Sequence, residues 1–158
     1  MNIRIICVGK LKEKFWQEAC NEYIKRIGRF TKLEIVELKE VKLPNNPSEA
    51  DEKSVIAKES ANILEKIDDR DYVIAMDVSG KQQDSVKFSK TIQSICLEYQ
   101  NLDFVIGGSL GLSDEVRKRA NQRMSFSEMT FPHQLFRVIL LEQIYRAFKI
   151  ANNETYHK

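Results

Sequence analysis

Short β-branched apolar runs alternate along this chain with longer stretches of helical periodicity, and that alternation narrows its possible folds more than any other feature. Residues 3–8 are an apolar run ended by Gly9 and read as a buried strand. From Glu13 to Ile27, the residues Phe15, Trp16, Ala19, Cys20, Tyr23, Ile24 and Ile27 recur at helical spacing, and Gly28 stops the helix. Leu33 to Leu38 is a second strand, Pro44-Asn45-Asn46-Pro47 is a loop, and Ser48 with Asp51 opens a helix near residues 48–67. Tyr72 to Met76 is a third strand, closed by Asp77-Val78-Ser79-Gly80, a turn composition. A helix over residues 85–99 leads to a strand at Phe104-Val105-Ile106, and Ser113 caps a short basic helix over 114–120. Met124-Ser125-Phe126-Ser127 forms a fifth strand, and a last helix runs from about Pro132 to residue 151. The pattern predicts one α/β domain over residues 1–158, a mainly parallel sheet with helices on both faces.

A chain of this length buries roughly 70% of its unfolded surface, enough for a full core. No stretch approaches the ~20 apolar residues of a membrane span. The opening Met1-Asn2-Ile3-Arg4-Ile5-Ile6-Cys7-Val8-Gly9-Lys10 lacks the apolar core of a signal peptide, so a cytoplasmic protein is expected. Cys7, Cys20 and Cys96 stand singly with no CxxC spacing, which reads as reduced buried thiols. With only His133 and His157 besides, no metal site is expected. The net charge of +2 hides an asymmetry: residues 117–158 hold eight basic groups against three acidic ones. That basic quarter suits either an anionic partner or a solvated helix face.

The last helix is apolar around most of its circumference, through Leu135, Phe136, Val138, Ile139, Leu140, Leu141, Ile144, Tyr145, Phe148 and Ile150. Such a helix must be covered on all sides. A twofold dimer through it is the expected arrangement, and full burial within one chain is the alternative.

Three strand-end segments can carry chemistry, since ligands of open α/β sheets sit beyond the carboxyl ends of strands. Ile106-Gly107-Gly108-Ser109-Leu110-Gly111 allows close backbone approach to a ligand, or serves as a plain turn; it is not the GxGxxG of dinucleotide sites. Asp77-Val78-Ser79-Gly80-Lys81 is the second segment, and an Asx-type turn would explain it alone. The third, Phe126 to Gln134, ends at a helix start with free amides, where Thr130 can cap and the helix dipole favours neutral His133. The terminal Glu154-Thr155-Tyr156-His157-Lys158 is either a loose end or a tail that folds over a site and stacks on a base.

Taken together, these loops resemble the RlmH family, small SPOUT-class methyltransferases acting on N3 of a pseudouridine in large-subunit ribosomal RNA. The resemblance rests on Val8-Gly9-Lys10-Leu11-Lys12, Asp77-x-x-Gly80-Lys81, Phe104-Val105-Ile106-Gly107-Gly108-Ser109-x-Gly111 and Ser125-x-Ser127-x-Met129-Thr130-Phe131-Pro132-His133-Gln134. Glu142-Gln143-x-Tyr145-Arg146-Ala147 and Tyr156-His157-Lys158 extend it to the whole chain. It implies a C-terminal trefoil knot, a departure from ordinary topology. It also implies an S-adenosyl-L-methionine (SAM) pocket built by Met76, Gly107, Phe126, Ser127, Glu128, Met129, Thr130 and Phe131, with no metal. In a homodimer of this kind one subunit holds SAM while the tail of the other completes the site. His133, Arg146, Tyr156 and His157 are then the substrate-side candidates. Arg146 either stabilises an imide anion or grips a phosphate, and an ion pair with Glu142 four residues earlier competes for it. Lys158 stands where some relatives carry arginine, so a planar bidentate contact is not available there.

The implied partner is the ribosome with its 23S rRNA. Two other functions are compatible with the residues: another SPOUT target, such as a tRNA base or a ribose hydroxyl, and a ribosome-binding factor without chemistry. An enzyme with about five phosphate contacts loses about 10²–10³ in affinity between 50 and 200 mM salt. Activity is therefore expected on assembled ribosomes and not on free rRNA at physiological salt. Comparing methyl incorporation on the two substrates checks this, and full activity on free rRNA would contradict it.

Overall fold

Apolar side chains occupy both faces of nearly every predicted strand, so the sheet needs cover on both sides. The computed structural model describes residues 1–156 and has that layering. Strands β1 (Asn2–Val8), β2 (Lys32–Leu38), β3 (Tyr72–Gln82), β4 (Asn101–Ile106) and β5 (Gln122–Ser125) form one sheet in the order β2-β1-β4-β3-β5. Every pairing in it is parallel. The helices are α1 (Lys14–Ile27), α2 (Glu49–Lys66), α3 (Ser85–Glu98), α4 (Asp114–Arg119) and α5 (His133–Ala151).

Strand alternation sends successive side chains to opposite cores. Ile5, Cys7, Ile74 and Phe104 pack with Ile27 of α1, Ile92 of α3 and Leu140, Leu141 and Ile144 of α5. Ile6, Val8, Val73, Ala75 and Val105 pack on the other side with Ile63 of α2 and Val116 of α4. On the first face α5 touches both α1 and α3, and Ser89 of α3 donates from its buried hydroxyl to the Ala147 carbonyl at 2.7 Å. β5 and residues 126–132 carry the chain from α4 on one side of the sheet to α5 on the other.

Local chemistry sets the helix starts. Ser48 and Asp51 make a reciprocal capping box at α2, and Ser113 accepts the Val116 amide at α4. Thr130 does not cap α5, contrary to expectation: the N-cap is Pro132, whose side chain has no acceptor, and its carbonyl instead takes the Phe136 amide at 2.9 Å. The fifth strand ends at Ser125, two residues short of the expected limit, because Phe126 and Ser127 already belong to the crossing loop.

The larger correction concerns Asp77-Val78-Ser79-Gly80. It does not close the third strand. β3 pairs with β5 through Met76↔Met124, bulges outward, and resumes with Lys81↔Met124 and Gln82↔Ser125. Turn-forming residues here serve a bulge inside a strand. Gly80 is required where pairing resumes, since a Cβ there would lie 2.6 Å from the Met124 nitrogen and 2.7 Å from the Arg123 carbonyl carbon. Backbone atoms cannot step aside as a flexible side chain can. Gly80→Ala is therefore expected to destabilise the fold by about 1–3 kcal/mol, read as a lower urea midpoint at unchanged slope.

Candidate functional site

The bulge within β3 and the carboxyl ends of β4 and β5 surround a cavity of about 550 Å³. Met76, Asp77 and Val78 come from β3, and Ile106 to Gly108 from the end of β4. Leu112 and Arg117 come from the following loop and α4, and residues 124–127, 129–131, 133 and 136 from the path between β5 and α5. Phe126 meets Phe136 with ring centroids 5.5 Å apart, while Phe131 lies nearly parallel to Phe136 at 6.3 Å. The lining thus combines aromatic rings and methionines from residues 124–136 with the glycines of the loop after β4.

The loops are held by their own hydrogen bonds. The Ser125 hydroxyl donates to the Ser127 carbonyl at 2.9 Å, and the Ser127 hydroxyl accepts the Met129 amide at 3.0 Å. In the glycine loop the positive φ of +80° falls at Gly111, not at Gly107. Gly107 is needed for closure, since a Cβ there would sit 2.7 Å from the Gly111 carbonyl oxygen. Behind Gly108 lies the carboxylate of Glu59, buried on α2, which accepts the Val41 amide at 3.1 Å.

Asp77 fixes the bulge to α4. Its carboxylate accepts from the Ser79 amide at 3.0 Å, the Ser79 hydroxyl at 2.9 Å and Arg117 Nε at 2.8 Å. Burial opposes its ionisation, but the hydrogen bonds from Arg117 and Ser79 outweigh it and hold the group below the usual aspartate range. The sequence marked this segment as a turn and gave no sign of its partner forty residues on.

Seven of the eight residues expected around a cofactor line this cavity: Met76, Gly107, Phe126, Ser127, Met129, Thr130 and Phe131. Glu128 is exposed and is not among the lining residues. His133 joins the rim, where loss of solvent around the ring and the charge of Arg137 lower its pKa and favour the neutral imidazole.

Arg146 and Tyr156 lie elsewhere. Arg146 follows His133 by thirteen positions of helix, about 20 Å along the axis. The Glu142 carboxylate accepts from Arg146 at 2.6 Å and from the Tyr156 hydroxyl at 3.2 Å. The guanidinium stacks over the Tyr156 ring at 4.8 Å. Burial and the Glu142 carboxylate push the Tyr156 hydroxyl up to about 12, so it stays a protonated donor. The tail to Tyr156 folds back on α5 of its own chain, with Glu154 held by Arg29 and Lys149 and Tyr156 edge-on to Tyr145. His157 lies outside the described residues.

Arg137 escaped the sequence reading entirely, since an arginine in a helix normally faces water. It is 2% exposed, donates to Glu37 at 2.8 Å and to the Gly9 carbonyl at 2.7 Å, and its Nε has no partner among the described residues. No group of His, Cys, Asp or Glu among the described residues is placed to hold a metal, and no helix there is long and apolar enough to cross a membrane.

Comparison with known proteins gives concordant matches. Residues 1–157 match the family model described as "Predicted SPOUT methyltransferase". The chain is 55% identical to "Ribosomal RNA large subunit methyltransferase H" of Streptococcus thermophilus over the full length of both. It is 57% identical to "Ribosomal RNA large subunit methyltransferase H 1" of Clostridium perfringens, again over the full length of both. Among solved structures, a probable methylase family protein from Haemophilus influenzae superposes with a TM-score of 0.56 at 16% identity, covering 99% of this chain and 70% of that one, which speaks for the fold alone.

The Asp77 clamp carries a pH dependence of defined sign. A depressed folded-state pKa stabilises above the unfolded value of about 3.9 and is lost as pH falls through the folded one. The gap in unfolding free energy between wild type and Asp77→Asn is expected to be constant from about pH 5 to 7 and to shrink below about pH 4. Chemical denaturation across that range measures it.

Proposed function

The chain belongs to the SPOUT methyltransferase family, and from that premise we propose that it is a SAM-dependent enzyme methylating N3 of a pseudouridine in large-subunit (23S) ribosomal RNA. In this reading it works in the cytoplasm, on the assembled ribosome, as a homodimer whose C-terminal segment is threaded as a trefoil knot. The observation that carries it is the cavity between the β3 bulge and the ends of β4 and β5, with Met76, Gly107, Phe126, Ser127 and residues 129–131 on its walls.

The residues fit the cofactor. A volume of about 550 Å³ suits a ligand of SAM's size. Phe126, Phe131 and Phe136 offer faces to an adenine ring or a sulfonium, and the loop's backbone groups can read an adenine edge. Bound there, SAM supplies an electrophilic methyl group and needs no metal. The chain's own part is to align the acceptor nitrogen, exclude water, and favour loss of the N3 proton.

Neutral His133 at the rim is suited to receive or relay that proton. Arg146 is suited to the imide anion left behind, and Tyr156, held as a phenol, to donating a hydrogen bond to the base or stacking on it. The separation of about 20 Å along α5 means that one chain cannot bring these groups to one substrate. A second copy can, and α5 supports it: Leu135, Ile139 and Ile150 stay half-buried and join neither core. His157 would act beside Tyr156 from the same tail.

Calorimetric titration with SAM tests the reading. Wild type is expected to bind. Gly107→Arg, checked for folding by its thermal melt, is expected to lose binding, and Met129→Asp on the exposed cavity lip to weaken it. Ribosomes from cells lacking the enzyme should then gain methyl groups recovered as N3-methylpseudouridine. A folded wild-type dimer that binds no SAM, with or without ribosomes, would overturn the enzyme reading in favour of a ribosome-binding factor. A different modified nucleoside would redirect it to another RNA target.

A further inference from the structure

The turn between β1 and α1, Gly9-Lys10-Leu11-Lys12, takes no part in the cofactor cavity, yet buried charge ties it to the helix that does. Arg137 donates through Nη2 to the Gly9 carbonyl and through Nη1 to Glu37 Oε2, and that same oxygen accepts the Leu11 amide at 3.0 Å. One guanidinium therefore joins the ends of β1 and β2 and the approach to α1 to the second turn of α5. We propose that Arg137 is a positioning residue, locking this turn so that Lys10 and Lys12 stand as contacts for RNA phosphates beside the cavity mouth. The identity of the polyanion rests on the ribosomal RNA reading above.

Three observations carry it. The first is location. Cys7 pairs with Ile106, so the residues after Val8 leave the sheet next to Gly107 and Gly108 of the cavity wall. Arg137 follows rim residue His133 by one helical turn.

The second is the cost of the arrangement. A buried arginine whose carboxylate partner is still 34% exposed, and whose Nε is unpaired among the described residues, is a poor way to fill a core. An apolar side chain of similar volume often does as well or better. What Arg137 offers over such a residue is the geometry it imposes on three chain segments. Gly9 agrees with this: at φ +93° and with open space where a Cβ would be, it is required by the chain reversal that turns its carbonyl toward Arg137, and not by crowding.

The third is the state of the lysines. Both are exposed, and among the described residues neither is in an ion pair, while Glu37, which accepts the Leu11 amide between them, is already held by Arg137. Two ammonium groups on a fixed turn suit the sequence-independent phosphate contacts that set the register of a protein on RNA. A fixed turn loses less conformational freedom on binding than a loose one.

The test is the affinity of the intact protein for ribosomes, measured without a methyl donor over a salt series, together with KM and kcat with SAM present. Lys10→Ala/Lys12→Ala is expected to flatten the slope of log affinity against log salt by about 1.4–1.8 for two lost phosphate contacts. KM for ribosomes should rise at unchanged kcat and unchanged SAM affinity. Arg137→Met, which removes the charge at similar volume, is expected to raise KM in the same direction, with Arg137→Lys recovering part of the loss. If Arg137→Met fails to fold, Glu37→Ala releases the Leu11 amide from the half-exposed side and is expected to give the same rise. A double lysine variant with wild-type salt slope and KM would overturn the proposal, as would folded Arg137→Met or Glu37→Ala with wild-type KM. Ribosome affinity that falls in these variants of a protein that transfers no methyl group would uphold the clamp while removing the enzymatic reading.

Discussion

The cavity exists because β3 leaves its register against β5 and then recovers it. Continuous pairing past Met76 would seal the end of the sheet where Asp77 and Val78 now form part of a wall. Recovery demands a near-collision of backbones that only glycine allows, at Gly80. The bulge would be loose without a second attachment, and Asp77 supplies one by gripping Arg117 of α4 while accepting from Ser79 in the bulge itself. A short helix on one side of the sheet and an excursion at its edge are thereby a single rigid unit. The walls opposite are stiffened in the same manner, by the contact between Gly107 and Gly111 and by the serine bonds within residues 125–129. Such loops present a nearly preformed site, so binding spends little on ordering them.

α5 has two distinct halves. Its first turns carry His133 and Phe136 into the cavity and Arg137 under the β1 and β2 ends. Its last turns carry Glu142 and Arg146, onto which Tyr156 folds. Between them Leu140, Leu141 and Ile144 are fully buried against the sheet, and Ser89 fastens the helix to α3. The helix is thus a rigid spacer between two sets of polar groups that the proposed reaction would need together.

Much of the fold could be read from the sequence, because parallel strands buried on both faces appear as unbroken apolar runs and capping pairs such as Ser48 with Asp51 are local signals. The errors fell where a long-range contact overrode local composition. Asp77-Val78-Ser79-Gly80 has the residues of a turn, and nothing within a few positions indicates that Met124 waits on the neighbouring strand. Thr130 has the chemistry of a cap, but Pro132 starts the helix two residues later. The cavity lining was legible through the resemblance of whole loops, since glycine and serine patterns alone also fit ordinary turns. Arg137 was not legible at all: its partners Gly9 and Glu37 lie 128 and 100 positions away, at the ends of other strands.

The division of α5 and its outer surface bear on the same question. Leu135 and Ile139 leave apolar area on the side of the helix turned from the sheet, at its cavity half. A helix of this kind in a monomer would keep that area wet, at a cost that grows with each exposed aliphatic group. In the proposed dimer an antiparallel packing about a twofold near the middle of α5 buries the stripe. The same operation carries Arg146 and Tyr156 of one copy toward His133 of the other, because residues 133 and 146 lie on either side of Ile139. One symmetry element then serves two purposes, covering apolar surface and completing the proposed site. In the proposed dimer a second copy of this chain at the cavity mouth meets both at once.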